Sequence, residues 1–190
     1  MVFRTIPALI AALCLTIFPM ATLATKIIPM NPETLAQTAT TVVRGTVTSV
    51  ESYWNTTHSK IFTETVIAVD ESYKGAPGAE VRLVQLGGEV DGVRVTVHGA
   101  LFWDRGEEVV AFLEPYQGDR FHVVGFSQGK FKVERDPVTG RAFIHRPHQE
   151  GVELVGDDGH QHNQQTSVSR EPLDQFLARA LGADFAPSNR

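Results

Sequence analysis

Four histidines fall close together in the last third of the chain, and imidazole is a common metal ligand. Histidine and carboxylate side chains bind Zn²⁺, Cu²⁺ or Ni²⁺, and Asp157 and Asp158 lie within the same segment. The four candidate ligands are His145, His148, His160 and His162. A metal site also needs defined geometry and partners that orient its ligands, which a segment rich in Gly, Asp and Gln does not supply by itself. We therefore interpret the segment as solvated with at most weak metal affinity, and we predict no cofactor.

Acidic pairs are the second candidate for chemistry, because glycosidases work with two facing carboxylates. Glu107 and Glu108 are adjacent, and Glu89 lies near Asp91. Adjacent residues of a strand point to opposite faces of the sheet, so Glu107 and Glu108 are not expected to cooperate. We predict that these carboxylates serve solubility and turns.

No nucleophile is indicated. Ser127 lies in the sequence GFSQG, which has the glycine spacing of a nucleophile elbow, but that motif joins a strand to a helix, and here a strand is predicted on both sides. His58 falls in a polar turn and is expected to be solvated, and His122 is expected on the outer face of a strand. Neither histidine has a Ser or Cys arrangement beside it that would form a catalytic pair.

Aromatic residues beside predicted loops are the better candidates for a site. Tyr53-Trp54 and Phe102-Trp103 each lie next to a turn, as does Tyr116. Rings in such places bury a large area and are common anchors for a partner. We predict that Tyr53, Trp54, Phe102 and Trp103 bind a partner; the alternative is that these rings plug the ends of the fold.

Most of the chain that positions these residues is predicted to form short strands. Val, Ile and Thr alternate with polar residues in VVRGTVTSV and IFTETVIAV, and Asp91-Gly92 is typical of a hairpin turn. Residues 108–113 form an apolar run typical of a doubly buried strand. Gly45 within the first long strand predicts a bend. Many short strands with helices only at the ends predict a mainly β protein, a small antiparallel barrel.

One helix is predicted at each end of the barrel domain. Asn31 can cap a helix that begins at Pro32. Ser169 is the predicted cap of an amphipathic C-terminal helix over residues 169–182. The predicted organisation is a barrel domain with its N-terminal helix over residues 25–145, a flexible His-rich connector over residues 146–168, and the C-terminal helix.

The first 24 residues are predicted to be a signal peptide. Arg4 precedes an apolar run, and Thr22-Leu23-Ala24 offers a cleavage site after Ala24. The only cysteine, Cys14, leaves with this segment, so we expect an exported protein without disulfides, in the periplasm or outside the cell, with no stable membrane insertion after cleavage. The net charge of −5 argues against nucleic-acid binding.

Several of these motifs occur together in a known group of proteins. They are the helix before VVRGTVTSVESYW, the strand ending in YKG, HGALFWDRGEEVVAFLEP and VVGFSQGKFKV, within residues 35–133. The chain resembles exported bacterial proteins of uncertain function with an oligonucleotide/oligosaccharide-binding (OB)-type barrel, which netrin-like modules and tissue inhibitors of metalloproteinases also use. Those inhibitors present an N-terminal cysteine to the catalytic zinc, and the predicted mature chain has none.

The predicted function is that of an exported, non-enzymatic binding module that engages a protein partner through its barrel loops, with proteases as one candidate class. Two alternatives stay open: a metal-dependent exported hydrolase that uses the His-rich connector, and an envelope structural protein.

Overall fold

A computed structural model describes residues 25–146, 152–154 and 170–182. The predicted signal peptide and most of the His-rich connector therefore lie outside the described residues, as does Ser169. In the part of the chain that is described, no helix is long and apolar enough to cross a membrane.

The N-terminal helix begins where the sequence predicts. After strand β1 (Thr25–Ile27), helix α1 (Pro32–Thr38) starts with Asn31 as its cap, and the Asn31 side chain accepts a hydrogen bond from the Thr34 amide at 2.7 Å. This bond satisfies one of the amides that the first turn leaves without a helical partner. Leu35 and Ala36 are buried and fix the helix against the sheet.

Two strands of 14 residues each, β2 (Thr41–Trp54) and β3 (Ile61–Lys74), form a long antiparallel hairpin. Their register shifts between Arg44 and Gly45, which confirms the irregularity predicted at this glycine. A Cβ atom at Gly45 would clash with the carbonyl oxygen of Ala68 on the facing strand. Only glycine permits such a close approach of two backbones.

The remaining strands are short and are followed by one helix. They are β4 (Glu80–Leu86), β5 (Gly88–Val90), β6 (Val93–Val95), β7 (Glu108–Pro115), β8 (Arg120–Val123), β9 (Lys130–Arg135), β10 (Ala142–His145), β11 (Val152–Leu154) and β12 (Glu171–Pro172), and the helix is α2 (Leu173–Leu181). Asp91 and Gly92, which join β5 to β6, both have positive φ, 53° and 77°. The hairpin predicted from this dipeptide is confirmed.

Five strands close partly into a ring in the order β7-β2-β3-β4-β8, because β8 pairs with β7 and, at two positions only, with β4. This arrangement confirms the predicted mainly β, OB-like barrel with a helix at each end. One pair of the ring departs from the antiparallel arrangement: β4 and β8 are parallel. In a closed ring with an odd number of strands, directions cannot alternate all the way round, so at least one pair must be parallel.

The barrel encloses one hydrophobic core, and the two helices cover a second. Strand β7 lies between them and is buried on both faces, as its apolar run predicts: Val109, Ala111 and Leu113 belong to the barrel core, and Val110 and Phe112 to the core beneath the helices. The barrel core also holds residues from five other segments: Val43, Val47, Ile67, Val81, Leu83, Leu101, Trp103 and Val123. Strand β7 therefore couples the barrel to the helical layer.

The C-terminal helix starts later than predicted, at Leu173. Glu171 and Pro172 are extended and pair with Ile144 and Phe143 of β10. A proline disfavours helical geometry in the residue before it, so Glu171 cannot continue the helix towards Ser169. Phe176 and the other apolar residues of the helix pack on the sheet, which confirms the amphipathic face.

Candidate binding site: a cleft at the opening of the barrel

The four aromatic residues predicted to bind a partner do not form one set. Tyr53 and Trp54 lie at the end of β2 and are half-buried. The Tyr53 ring stacks on Phe62, with 6.2 Å between ring centroids, and the Trp54 ring stacks on His58 at 6.1 Å. Adjacent positions on a strand face opposite sides, so Tyr53 and Trp54 offer their rings to different surroundings.

Phe102 and Trp103 differ even more clearly, in the exposure of their side chains. The Phe102 side chain is 78% exposed, whereas Trp103 is only 8% exposed and belongs to the barrel core. The Trp103 ring therefore lies in the core, as in the alternative interpretation of these residues, and one edge of it reaches the cleft lining. The Lys130 Nζ atom lies 4.3 Å from the ring centroid of Trp103, as in a cation–π contact.

A cleft of about 430 Å³ opens where the ring is incomplete. Strands β4 and β8 pair only at Arg82–Arg120 and Leu83–Phe121. Beyond these pairs the two strands are no longer joined as a ladder, and residues from the inside and the outside of the barrel both line the gap. The lining is mainly apolar and comprises Phe62, Thr65, Leu83, Val84, Gln85, Leu86, Val97, Ala100, Leu101, Trp103, Glu114, Tyr116, His122, Val123 and Phe126.

Two side chains fix the segment of residues 97–103 that forms one wall of the cleft. Gln85 donates from Nε2 to the Leu101 carbonyl oxygen at 2.7 Å, and Lys130 donates from Nζ to the Phe102 carbonyl oxygen at 2.6 Å. The segment is thus attached to β4 on one side and to β9 on the other. These bonds hold two adjacent residues of the segment, Leu101 and Phe102, to two different strands.

Lys130 is itself held by a buried ion pair with Glu107, at 2.7 Å. Burial lowers the pKa of the Lys130 ammonium below its usual value, and the hydrogen bond from Lys130 to Glu107 opposes this shift. The Glu107 carboxylate also accepts a hydrogen bond from the Asp104 amide at 3.3 Å. The prediction that Glu107 serves solubility is wrong, since its carboxylate is an internal partner of the wall segment.

Glu108 has different partners, as expected for a residue that faces the other way. Its carboxylate accepts hydrogen bonds from Arg44 at 2.7 Å and from Arg135 at 2.9 and 2.6 Å. Burial alone would raise the pKa of the Glu108 carboxyl, but the hydrogen bonds from Arg135 and Arg44 outweigh it and hold that pKa below its usual value. Glu108 therefore joins β2, β7 and β9. The prediction that its carboxylate serves solubility is wrong.

His122 lies on the wall of the cleft beside the point where β4 and β8 separate. Its Nδ1 atom is 2.6 Å from the Val84 carbonyl oxygen. A carbonyl oxygen only accepts, so Nδ1 carries a proton and donates it, and Nε2 is left as the second polar position of the ring. The Tyr116 ring lies against the imidazole, with 3.9 Å between centroids. His122 is half-buried in the cleft wall.

Thr65 is the most enclosed polar residue of the cleft lining. Its side chain is 1% exposed, and its Oγ1 atom has no hydrogen-bond partner among the described residues. Thr63, two residues earlier on the same inner face of β3, is also buried, but its hydroxyl donates to the Gly87 carbonyl oxygen at 2.8 Å. Because buried polar groups in native proteins are nearly always paired, the Thr65 hydroxyl is an unusual feature of the cleft.

Two exposed apolar side chains line the cleft, namely Phe126, which is 53% exposed, and Leu86, which is 40% exposed. Phe102 is exposed on the wall segment of residues 97–103, but its ring does not line the cleft. Phe126 has a φ of 67°, and Gly125 before it a φ of 65°. A positive φ is unfavourable for a bulky residue and often marks a functional position.

The predicted metal ligands are mostly outside the described residues. Only His145 is described, on β10, where its Nδ1 atom lies 4.0 Å from a carboxylate oxygen of Glu134. His148, His160 and His162 fall in the segment that the structure does not describe. Within the described ranges, no three His, Cys, Asp or Glu side chains are placed to hold a metal ion.

Comparison of the chain with protein-family models, with curated proteins and with solved structures found no match in any of the three. Its function is therefore inferred from the geometry of the cleft and its mouth.

Proposed function

We propose that this protein is an exported, non-enzymatic binding module whose barrel engages a protein partner at the mouth of the cleft. The observation that carries the proposal is the pair of exposed apolar side chains that line the cleft, Phe126 and Leu86, together with the exposed Phe102 on the wall segment. Exposed large apolar residues that gather at one place mark interaction sites more often than isolated ones do. Proteins anchor to each other through a few such side chains.

Two hydrogen bonds of Gln128 attach the loop that carries Phe126 to the segment before helix α1. Gln128, which is almost completely buried, accepts a hydrogen bond from the Met30 amide at 2.7 Å through its side-chain oxygen. The side-chain nitrogen of Gln128 donates to the Ile28 carbonyl oxygen at 2.9 Å. The chain thus holds Phe126 exposed and at an unfavourable φ, and burial of its ring by a partner would offset that cost.

Export and the class of the partner rest on the sequence. The signal peptide predicts that the exported protein begins at Thr25, which N-terminal sequencing tests; a retained Met1 would contradict it. The resemblance to metalloproteinase inhibitors makes proteases the first class of partner to examine.

The test is capture of the partner from the native exported fraction by immobilised protein, followed by mass spectrometry. Phe102→Ala and Phe126→Ala should each lower the amount of captured partner at least tenfold, since loss of an interface anchor costs about 2 kcal/mol or more.

Val138→Ala is the matched control, because Val138 is also apolar and exposed but lies between β9 and β10 and does not line the cleft. Capture that survives both phenylalanine substitutions, with the fold intact, would contradict the proposed surface.

A further inference from the structure

We propose that the end of strand β2 pairs with the same strand of a second copy of this chain, so that two sheets join edge to edge in a weak dimer. The surface involved is the open edge, defined as residues 49–54 of β2. It lies on the opposite side of β3 from β4 and the cleft, and the inference does not rest on the proposed function.

The open edge begins where β7 stops pairing with β2. The ladder between these two strands ends at Thr46, and the Val47 amide and carbonyl group make the last bonds to that side, with residues 106–107. Strand β3 continues to pair with β2 as far as Trp54. Among the described strands, none pairs with the other side of β2 over residues 49–54. That side therefore presents main-chain donors and acceptors without a ladder partner.

The backbone groups that face away from β3 follow from the turn between β2 and β3. The Asn55 amide donates to the Lys60 carbonyl oxygen at 2.9 Å, so Asn55 directs its backbone groups towards β3. The direction alternates from one residue to the next along an antiparallel pair, and the register with β3 is regular from Ser49 to Trp54. The outward residues are therefore Val50, Ser52 and Trp54.

The sequence of the open edge suits strand pairing and does little to prevent it. Residues 49–54 read SVESYW, with Glu51 as the only charge and without lysine or proline, and Val50 is 37% exposed. Val, Tyr and Trp favour strands. By contrast, the end of the sheet at β12 consists of Glu171 and Pro172 alone, and a short edge strand with proline resists pairing.

The neighbouring β5–β6 hairpin does not use the hydrogen-bonding groups of the open edge. Gly88 of β5 lies over one face of the β2–β3 hairpin, against the Ser52 and Thr63 side chains. Strands β5 and β6 pair only with each other. A strand added in the plane of the sheet would therefore meet the backbone of β2 and not a strand already bonded to it.

The open edge is complementary to itself in the antiparallel register centred on Ser52. With Ser52 opposite Ser52 of the second copy, Val50 lies opposite Trp54, and every outward residue joins a pair that exchanges both backbone hydrogen bonds. Glu51 then lies opposite Tyr53. The register centred on Glu51 would place two glutamates directly opposite each other, and such like-charged pairs are destabilising. Charge therefore favours the register that uses all the outward groups.

The dimer is expected to be weak because the contact is small. A paired edge of this length buries less than the roughly 1,200 Å² of stable interfaces, so we expect a dissociation constant on the order of 100 µM. Both copies use the same edge, so pairing forms a closed two-fold dimer and not a chain of copies.

The first experiment measures the dimer by analytical ultracentrifugation of the exported protein. The wild type should be mostly monomer at about 10 µM and mostly dimer at about 1 mM. Val50→Pro removes an amide that β3 does not use, and proline is tolerated where a strand N–H faces outward. It should raise the dissociation constant at least about tenfold. Val50→Thr is the matched control, because it keeps the amide and the branched side chain and should change that constant by less than about twofold.

Hydrogen exchange of single amides locates the contact in the wild type itself, and it decides the question even if Val50→Pro does not fold. The Val50, Ser52 and Trp54 amides should exchange roughly fourfold more slowly at about 1 mM than at about 10 µM, because the second copy occupies them. The Glu51 and Tyr53 amides bond to β3 and should exchange slowly at both concentrations.

Three results would each overturn the proposal. The first is a monomer at all these concentrations. The second is a dimer whose outward amides exchange at the monomer rate, because its contact would then lie elsewhere. The third is equal weakening of the dimer by Val50→Pro and Val50→Thr, because the side chain and not the backbone would then carry the contact. Capture of a protein partner is a separate measurement, so its failure leaves this test unaffected.

Discussion

Lys130 and Glu107 form an ion pair of 2.7 Å in which both side chains are almost completely withdrawn from solvent. The pair also supports the cleft wall, since the same Lys130 ammonium donates to the Phe102 carbonyl oxygen. Removal of one partner of a buried pair leaves an uncompensated charge, whereas replacement of both with apolar groups is often tolerated.

Lys130→Met is therefore expected to lower the free energy of unfolding by about 3 kcal/mol or more. The double variant Lys130→Met/Glu107→Leu should recover a large part of this loss, because no buried charge remains. Denaturant titration of the wild type, both single variants and the double variant gives the coupling energy. A double variant whose loss equals the sum of the two single losses would show that the two charges are not coupled.

Because Glu108 is hydrogen-bonded to two arginines, we expect the stability of the fold to decrease in the acid pH range. Its folded-state pKa lies below the ordinary value of 4.5, so the charged form stabilises the fold above about pH 4.5, and this contribution is lost as the pH falls through the folded-state pKa. Glu108→Gln should cost about 1–2 kcal/mol at neutral pH, and its difference from the wild type should shrink below pH 4.5.

The control for this prediction is Glu89→Gln. Glu89 pairs with Arg94 on the exposed β5–β6 hairpin, and an exposed pair contributes at most about 1 kcal/mol. A Glu108→Gln variant as stable as the wild type at neutral pH would show that the Arg44 and Arg135 hydrogen bonds do not contribute to folding.

We expect replacement of the two inward threonines of β3 to have different effects on stability. Thr63→Val removes the hydrogen bond to Gly87 and leaves that carbonyl oxygen without it, which should cost about 1–2 kcal/mol. Thr65→Val replaces a buried hydroxyl that has no partner among the described residues with a methyl group, so stability should stay equal or rise. Thermal unfolding of both variants checks the contrast; a loss at Thr65 as large as that at Thr63 would contradict it.

Local signals in the sequence predicted much of the fold. The Asn31 cap, the Asp91-Gly92 turn and the apolar run of β7 each depend on residues close together in the chain, and all three are present. The irregularity at Gly45 was also predictable, because a glycine inside a strand usually marks a bulge, a bend or a close approach of two backbones.

The site was predicted less well because it depends on residues far apart in the chain. Phe102 and Trp103 have the same local signal, yet one ring is exposed and the other is in the core. The cleft arises where β4 and β8 separate, a consequence of the ring closure that no short motif encodes. Thr65 has the same pattern as Thr63, and the positions of Gly87 and Ser52 in space distinguish them, because both contact the Thr63 hydroxyl.

The last prediction concerns Phe126, whose replacement by glycine should weaken partner binding and leave the stability of the fold nearly unchanged. Glycine adopts a positive φ without strain, so Phe126→Gly relieves about 1–3 kcal/mol of backbone strain. It also loses the burial of about half a ring and adds freedom to the unfolded chain, and these two costs are of similar size. The free energy of unfolding should therefore stay within about 1 kcal/mol of the wild type, while partner capture falls at least tenfold.

Phe131→Ala is the contrast, because Phe131 is buried beneath the helices and its loss should cost about 3–5 kcal/mol. If Phe126→Gly destabilised the protein as much as Phe131→Ala does, Phe126 would be part of the core and the binding surface would have to exclude it.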